Sequence, residues 1–164
     1  MKKSIQRVIS TSVWLNRQPQ RLHAIAAIVA RCYLAQVFLK AGLTKLEDWD
    51  TTLFLFEEEY QVPLLAPDLA AYLGTFGEVF FPVLLVFGFA TRFSALGLFV
   101  VNLVAVISLE QIAPAALYLH VIWGVLLAQL LIYGGGFFSV DRLIPVIQAK
   151  LSSANTFHRL GYRS

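Results

Sequence analysis

The sequence predicts an all-α integral membrane protein: a four-helix bundle with both termini cytoplasmic and a short interfacial helix in the outer loop between spans one and two. Three observations predict it. Of 164 residues, 58% are hydrophobic and only 14% are charged, against about 45–50% and about 25% in soluble domains. The apolar residues gather into four stretches, each near the roughly 20 residues that cross a hydrocarbon core. Lys and Arg collect on one side of those stretches, and Asp and Glu on the other.

The chain reads as one membrane domain, residues 22–142, between two basic ends. In residues 1–21, Ile5, Val8, Ile9 and Val13 form a helical stripe flanked by Lys2, Lys3, Arg7 and Trp14. That pattern suits a basic amphipathic helix on an anionic membrane surface. A cleaved signal peptide fits less well, because its apolar core would be short and broken by Ser and Thr. The expected spans cover about 22–44, 68–90, 93–109 and 115–133. Residues 143–164 form a polar, basic tail.

The connections carry their own signals. In the first outer loop, Trp49, Leu53, Phe56 and Tyr60 share one helical face, with Asp50 as the expected N-cap. Glu57, Glu58 and Glu59 would face water. Gly88, Thr91 and Arg92 mark a tight turn between spans two and three. Glu110 to Pro114 turns the chain outside, and Gly134, Gly135 and Gly136 end the fourth span. By the Lys and Arg bias, the basic side is cytoplasmic and the acidic loop faces the periplasm or exterior.

Arg31 needs a reason, since a charge at mid-membrane costs about 3 kcal/mol on insertion scales. At a rise of about 1.5 Å per residue, Arg31 and Glu78 each fall about 14 Å deep in antiparallel neighbours. The expectation is an Arg31–Glu78 ion pair, with Gly74 and Gly77 letting the two helices close. Arg31, Phe38, Gly42 and Lys45 share one face of the first helix. Lys40 falls on the other side and reads as a snorkelling anchor. Asn102, mid-span, reads as an interhelical hydrogen-bonding residue. His120 could shuttle a proton, bond a quinone carbonyl, or simply pack.

The single cysteine, Cys32, allows no intrachain disulfide, and there is no CxxC motif. It reads as a small apolar residue facing lipid or a helix. His23 and His158 lie on the side away from His120, so no metal or haem site is expected. No nucleotide loop, zincin motif or hydrolase triad is present, and nothing points to nucleic acid.

Several short motifs together resemble the DoxX family of small bacterial membrane proteins. They are Lys40-Ala41-Gly42-Leu43-Thr44-Lys45 with Asp48-Trp49, then Glu59-Tyr60 and Val62-Pro63-Leu64-Leu65. Glu78, Pro82-Val83-Leu84-Leu85, Thr91-Arg92, His120, Trp123, the glycine run and Ser139-Val140-Asp141 complete the pattern. The family's Arg, Gly, Lys, Glu and Asp positions map to Arg31, Gly42, Lys45, Glu78 and Asp141. Gly135 stands where the family pattern has proline, and Asn102 where Thr is common. The resemblance implies a four-helix membrane bundle and a redox association, through quinone-reducing thiosulfate oxidation or thiol balance.

The expected function is a quinone-interacting or redox-associated membrane subunit that works with a periplasmic or membrane redox partner protein. Arg31, Lys45, Glu78 and His120 would line the quinone site. Glu78 and His120 would handle protons, while Arg31 and Lys45 would stabilise negative charge. The alternative is a non-catalytic scaffold or assembly factor, in which Arg31 and Glu78 only fix helix register. Whether any chemistry is intrinsic is left open by the residues.

Overall fold

The computed structural model describes residues 2–145 and 147–148, with side chains from Leu22 onward. The expectations for the stripe within 1–21 and for the tail beyond 148 lie outside the described side chains and residues. Five helices follow in order: α1 Lys2–Glu47, α2 Trp49–Glu58, α3 Pro67–Phe87, α4 Thr91–Ile107 and α5 Pro114–Tyr133. Three segments are long and apolar enough to cross a membrane: Leu22–Glu47, Pro67–Phe87 and Pro114–Tyr133. The shorter α4 has 17 residues, or about 26 Å of helix. It ends at Ile107, two residues before the expected Leu109. Leu109 instead bridges to Tyr60.

α1, α3, α4 and α5 close into a ring in which each packs on two neighbours. Every neighbouring pair is antiparallel. Tyr33 meets Trp123 while His23 meets Tyr133 across α1 and α5. Asn102 meets His120 while Arg92 meets Ile132 across α4 and α5. The core of the ring is small-and-large: Ala27, Ala30 and Ala95 beside Leu34, Phe38, Leu85, Leu98, Leu127 and Leu130. Large apolar side chains such as Val29, Phe76, Val83, Val100, Val125 and Ile132 point outward. A water-facing surface this apolar would aggregate, whereas lipid tails solvate it without cost. The protein is therefore an all-helical, multi-pass membrane bundle.

Helix ends follow the local sequence. Asp48, not Asp50, caps α2: its carboxylate accepts from the Thr51 amide at 3.0 Å and the Thr51 hydroxyl at 2.7 Å. Both bonds favour the ionised form and hold the Asp48 carboxyl below its ordinary range. The cap is therefore intact above ordinary carboxylate pKa values and is lost as acid titrates through the depressed one. Asp50 lies two residues too far along, already inside the first turn. The apolar face of α2 is the expected one, but it packs against Ala70 and Ala71 at the start of α3.

α3 ends at Gly88, which has φ +65°. The Gly88 amide bonds Leu85 O and the Phe89 amide bonds Leu84 O, the pairing of a glycine-terminated helix. Ala90, also left-handed at φ 46°, starts α4. Asp141 holds that turn, accepting from the Ala90 amide at 2.7 Å and the Thr91 amide at 2.8 Å. The segment after α5 thus supplies the N-terminal cap that α4 lacks in its own sequence.

Gly42 lets α1 and α3 approach closely. A Cβ there would lie 2.7 Å from Val79 Cγ2 and 3.0 Å from Glu78 Cβ. Gly77, expected on this α1–α3 seam, faces Val101 of α4 instead, and Gly74 faces Phe56 of α2. Gly42→Val should therefore push α1 off α3, at about 1–3 kcal/mol for an overpacked contact. Gly74→Ala, whose Cβ would meet only Phe56 Cζ at 3.6 Å, should leave thermal unfolding in detergent nearly unchanged.

Candidate functional site

Two groups of buried polar side chains occupy opposite ends of the ring. At one end is Arg31, 4% exposed. Its Nε donates to Leu85 O at 2.9 Å and its Nη2 to Val86 O at 2.6 Å. Its Nη1 donates to Gly135 O at 2.9 Å and Phe138 O at 3.2 Å. All four acceptors are backbone carbonyls. Leu85 and Val86 fall in the last turn of α3, where carbonyls have no intrahelical donor and carry partial negative charge.

At the other end Lys45 Nζ meets Glu78 Oε2 at 2.5 Å, with both side chains largely buried. It is the one salt bridge among the described residues. Glu78 Oε1 has no hydrogen-bond partner among them. Pro82 lies four residues beyond Glu78 inside α3 and cannot donate to the Glu78 carbonyl. Tyr60 lies close by. Burial pushes its phenol up first, and the charges of Glu59 and Glu78 push it the same way.

The Glu78 end opens into a cleft of about 290 Å³ bounded by Phe38, Lys40, Thr44, Glu78, His120 and Trp123. Asn102 fixes the imidazole from the α4 side. Asn102 Nδ2 donates to His120 O at 3.0 Å, and its Oδ1 lies 2.9 Å from His120 Nδ1. A carbonyl can only accept, so the amide orientation is determined, and Oδ1 must take a proton from Nδ1. In the neutral ring Nε2 is then left as an acceptor. Trp123 stands edge-on to the imidazole at 4.9 Å and donates its Nε1–H to Tyr33 Oη at 3.1 Å.

With this geometry in hand, comparison with known proteins assigns the family. The family model DoxX matches residues 26–111. The chain belongs to the DoxX family. A protein of Haemophilus influenzae, described as an uncharacterized protein, is 31% identical over 132 residues. That match covers 75% of this chain and 85% of the relative. No solved structure matches.

The five positions that carry the DoxX resemblance divide between the two ends. Gly42, Lys45 and Glu78 make the α1–α3 contact beside the cleft. Arg31 and Asp141 tie the opposite end together. The expected Arg31–Glu78 pair does not form. Arg31 lies eleven residues before Gly42, and antiparallel packing sends it ten residues past Glu78, to Gly88. Equal depth for Arg31 and Glu78 requires the membrane edge to lie at Leu22. Instead Ala24 and Ala27 pack on the Gly136 turn, so part of that apolar run covers protein.

Of the four expected site residues, Glu78 and His120 line the cleft, Lys45 joins it only through its ion pair with Glu78, and Arg31 does not reach it. Lys40, expected to be only an anchor, lines it, because a long side chain reaches around the helix from its exposed position. Asn102 makes the interhelical hydrogen bond expected of it. Its role in fixing the histidine was missed, since sequence alone does not name a partner 18 residues away.

Each end yields a stability test. Arg31→Lys offers three donors on one atom to four carbonyls on two segments, so it should lower the unfolding temperature well below wild type. Lys45→Met or Glu78→Met alone should destabilise by about 2–4 kcal/mol through an unpaired buried charge. The double variant should recover most of that loss, as read by a double-mutant cycle in detergent.

Proposed function

We propose that this DoxX protein holds the headgroup of a lipid-soluble quinone in the cleft beside Glu78 and His120. The observation that supports the reading is the imidazole fixed by Asn102, with Nε2 left as an acceptor, sharing one cleft with a buried carboxylate. Ligand pockets commonly run from about 300 to 1,000 Å³. A cleft of about 290 Å³ suits one ring, with an isoprenoid tail left in lipid. Quinone supplies two-electron, two-proton redox chemistry when bound.

The protein's own groups supply binding and proton handling. Lys40 can donate to a ring carbonyl from the α1 side, while the Thr44 hydroxyl donates to Lys40 O. Phe38 and Trp123 offer apolar faces to the ring. His120 Nε2 accepts a proton, and Asn102 stabilises the imidazolium that results. Lys45 donates to Glu78 Oε2, and Oε1 is the atom left to take a proton. Water reaches a cleft so lined less easily than it reaches the exposed Glu57, Glu58 and Glu59.

No electron-carrying motif lies in the chain, so the reading requires a redox partner protein. The exposed Glu57–Glu59 run at the end of α2 offers it a docking surface. In this reading the Glu78 end faces the periplasm, the Arg31 end faces the cytoplasm, and the membrane is the bacterial inner one. Arg31 is not part of the site; it holds the bundle closed.

Lipid extracted from protein purified out of native membranes should contain stoichiometric quinone by mass spectrometry. Glu78→Gln and His120→Leu, at wild-type folding, should each lower it at least tenfold, while Arg142→Gln at the far end leaves it unchanged. Equal trace quinone in all four proteins would sink the reading in favour of a scaffold.

A further inference from the structure

A larger cleft, about 820 Å³, opens at the Arg31 end, far from Glu78 and His120. Its walls include His23, Thr91, Arg92, Tyr133, Ser139 and Arg142. Two exposed guanidiniums face it from different segments. Arg92 Nη2 donates to Ile132 O at 3.1 Å, which anchors the side chain over the last turn of α5. Arg142 stacks on the Phe137 ring, 4.9 Å from its centroid, so its planar N–H edge stays available.

The charge balance of this end is positive. Arg31 lies directly behind the cleft wall, bonded to Gly135 O and Phe138 O and to no carboxylate. Asp141 also lines the cleft, but both its oxygens are taken by the Ala90 and Thr91 amides. Three guanidiniums therefore stand against one carboxylate that already serves a helix N-terminus. Thr91 adds a second sign of incompleteness: it is fully buried, and its Oγ1 has no hydrogen-bond partner among the described residues. Gly135 leaves the room beside it, since a Cβ there would come within 2.6 Å of that oxygen.

We propose that this cleft binds a phosphate group through Arg92 and Arg142, with His23 as a further donor. Guanidiniums recognise phosphate oxygens in pairs of parallel hydrogen bonds. The volume exceeds that of free phosphate and suits a phosphoglycerol headgroup. The mouth is flanked by Phe93, Tyr133 and Phe137, each more than half exposed. Such a rim would lie among acyl chains while the guanidiniums take the headgroup. The site is independent of the quinone reading, being at the other end of the ring and sharing no residue with it.

The test uses full-length protein, delipidated in detergent, with native mass spectrometry as the readout. The probes are dioctanoyl-phosphatidylglycerol and, separately, inorganic phosphate. The variants are Arg142→Gln, Arg92→Gln with Arg142→Gln, and Lys40→Gln as an equal charge change at the opposite end. We expect one phosphatidylglycerol per wild-type chain. Binding should weaken at least threefold in Arg142→Gln and at least tenfold in the double variant, and hold in Lys40→Gln. If inorganic phosphate binds alone and displaces the lipid with the same arginine dependence, the site takes the free anion. If it does not, the site takes the lipid. Absence of binding by either probe, or equal loss in Lys40→Gln, overturns the proposal. Should the double variant fail to fold, Arg142→Gln decides, because its exposed side chain rests on one ring.

Discussion

The bundle depends on how it satisfies one buried cation. The guanidinium of Arg31 has five N–H donors and is buried. The chain answers with four carbonyls, two from the last turn of α3 and two from the segment after α5. Helix ends leave their last carbonyls without an intrahelical donor, and a run of three glycines holds no helix, so both segments have carbonyl capacity to offer. Arg31 thus joins three segments distant in sequence. Gly88 is required twice over, by its left-handed φ and by the Arg31 Cζ only 2.8 Å from where a Cβ would be.

Fixing Arg31 at the end of α3 fixes the register of the whole α1–α3 seam. Eleven residues on, α1 must bring a residue without a side chain against Glu78, and Gly42 is there. One turn further, Lys45 reaches back to the carboxylate. The pair would be costly if either charge were alone, so register and charge reinforce one another. α4 and α5 then close the ring and carry Asn102 and His120 to the same level. The cleft is a consequence of this seam and of the small residues around it.

Much of this was legible in the sequence. The four apolar stretches and the glycine turns depend on composition, which a one-dimensional string records. So did the exceptional status of Arg31, Lys45, Glu78 and His120. Arg31's partners were not legible, because carbonyls belong to every residue and leave no mark on sequence. The carboxylate was the visible partner, and a depth count made it plausible. The count failed because it started the span at Leu22, whereas Ala24, Ala27 and Ala30 pack on protein. The same limit hid Asp141, whose partners are the amides of Ala90 and Thr91. A better signal was present: Arg31 precedes Lys45 by fourteen residues on one face, about 21 Å apart, so one carboxylate could serve only one of them.

The register is the claim on which both clefts rest, and cysteine cross-linking measures it most directly. In a Cys32→Ala background, Gly42→Cys with Val79→Cys should form a disulfide in membranes under mild oxidation. Arg31→Cys with Glu78→Cys should not. Cross-linking of the second pair in place of the first would place Arg31 beside Glu78 and contradict the account.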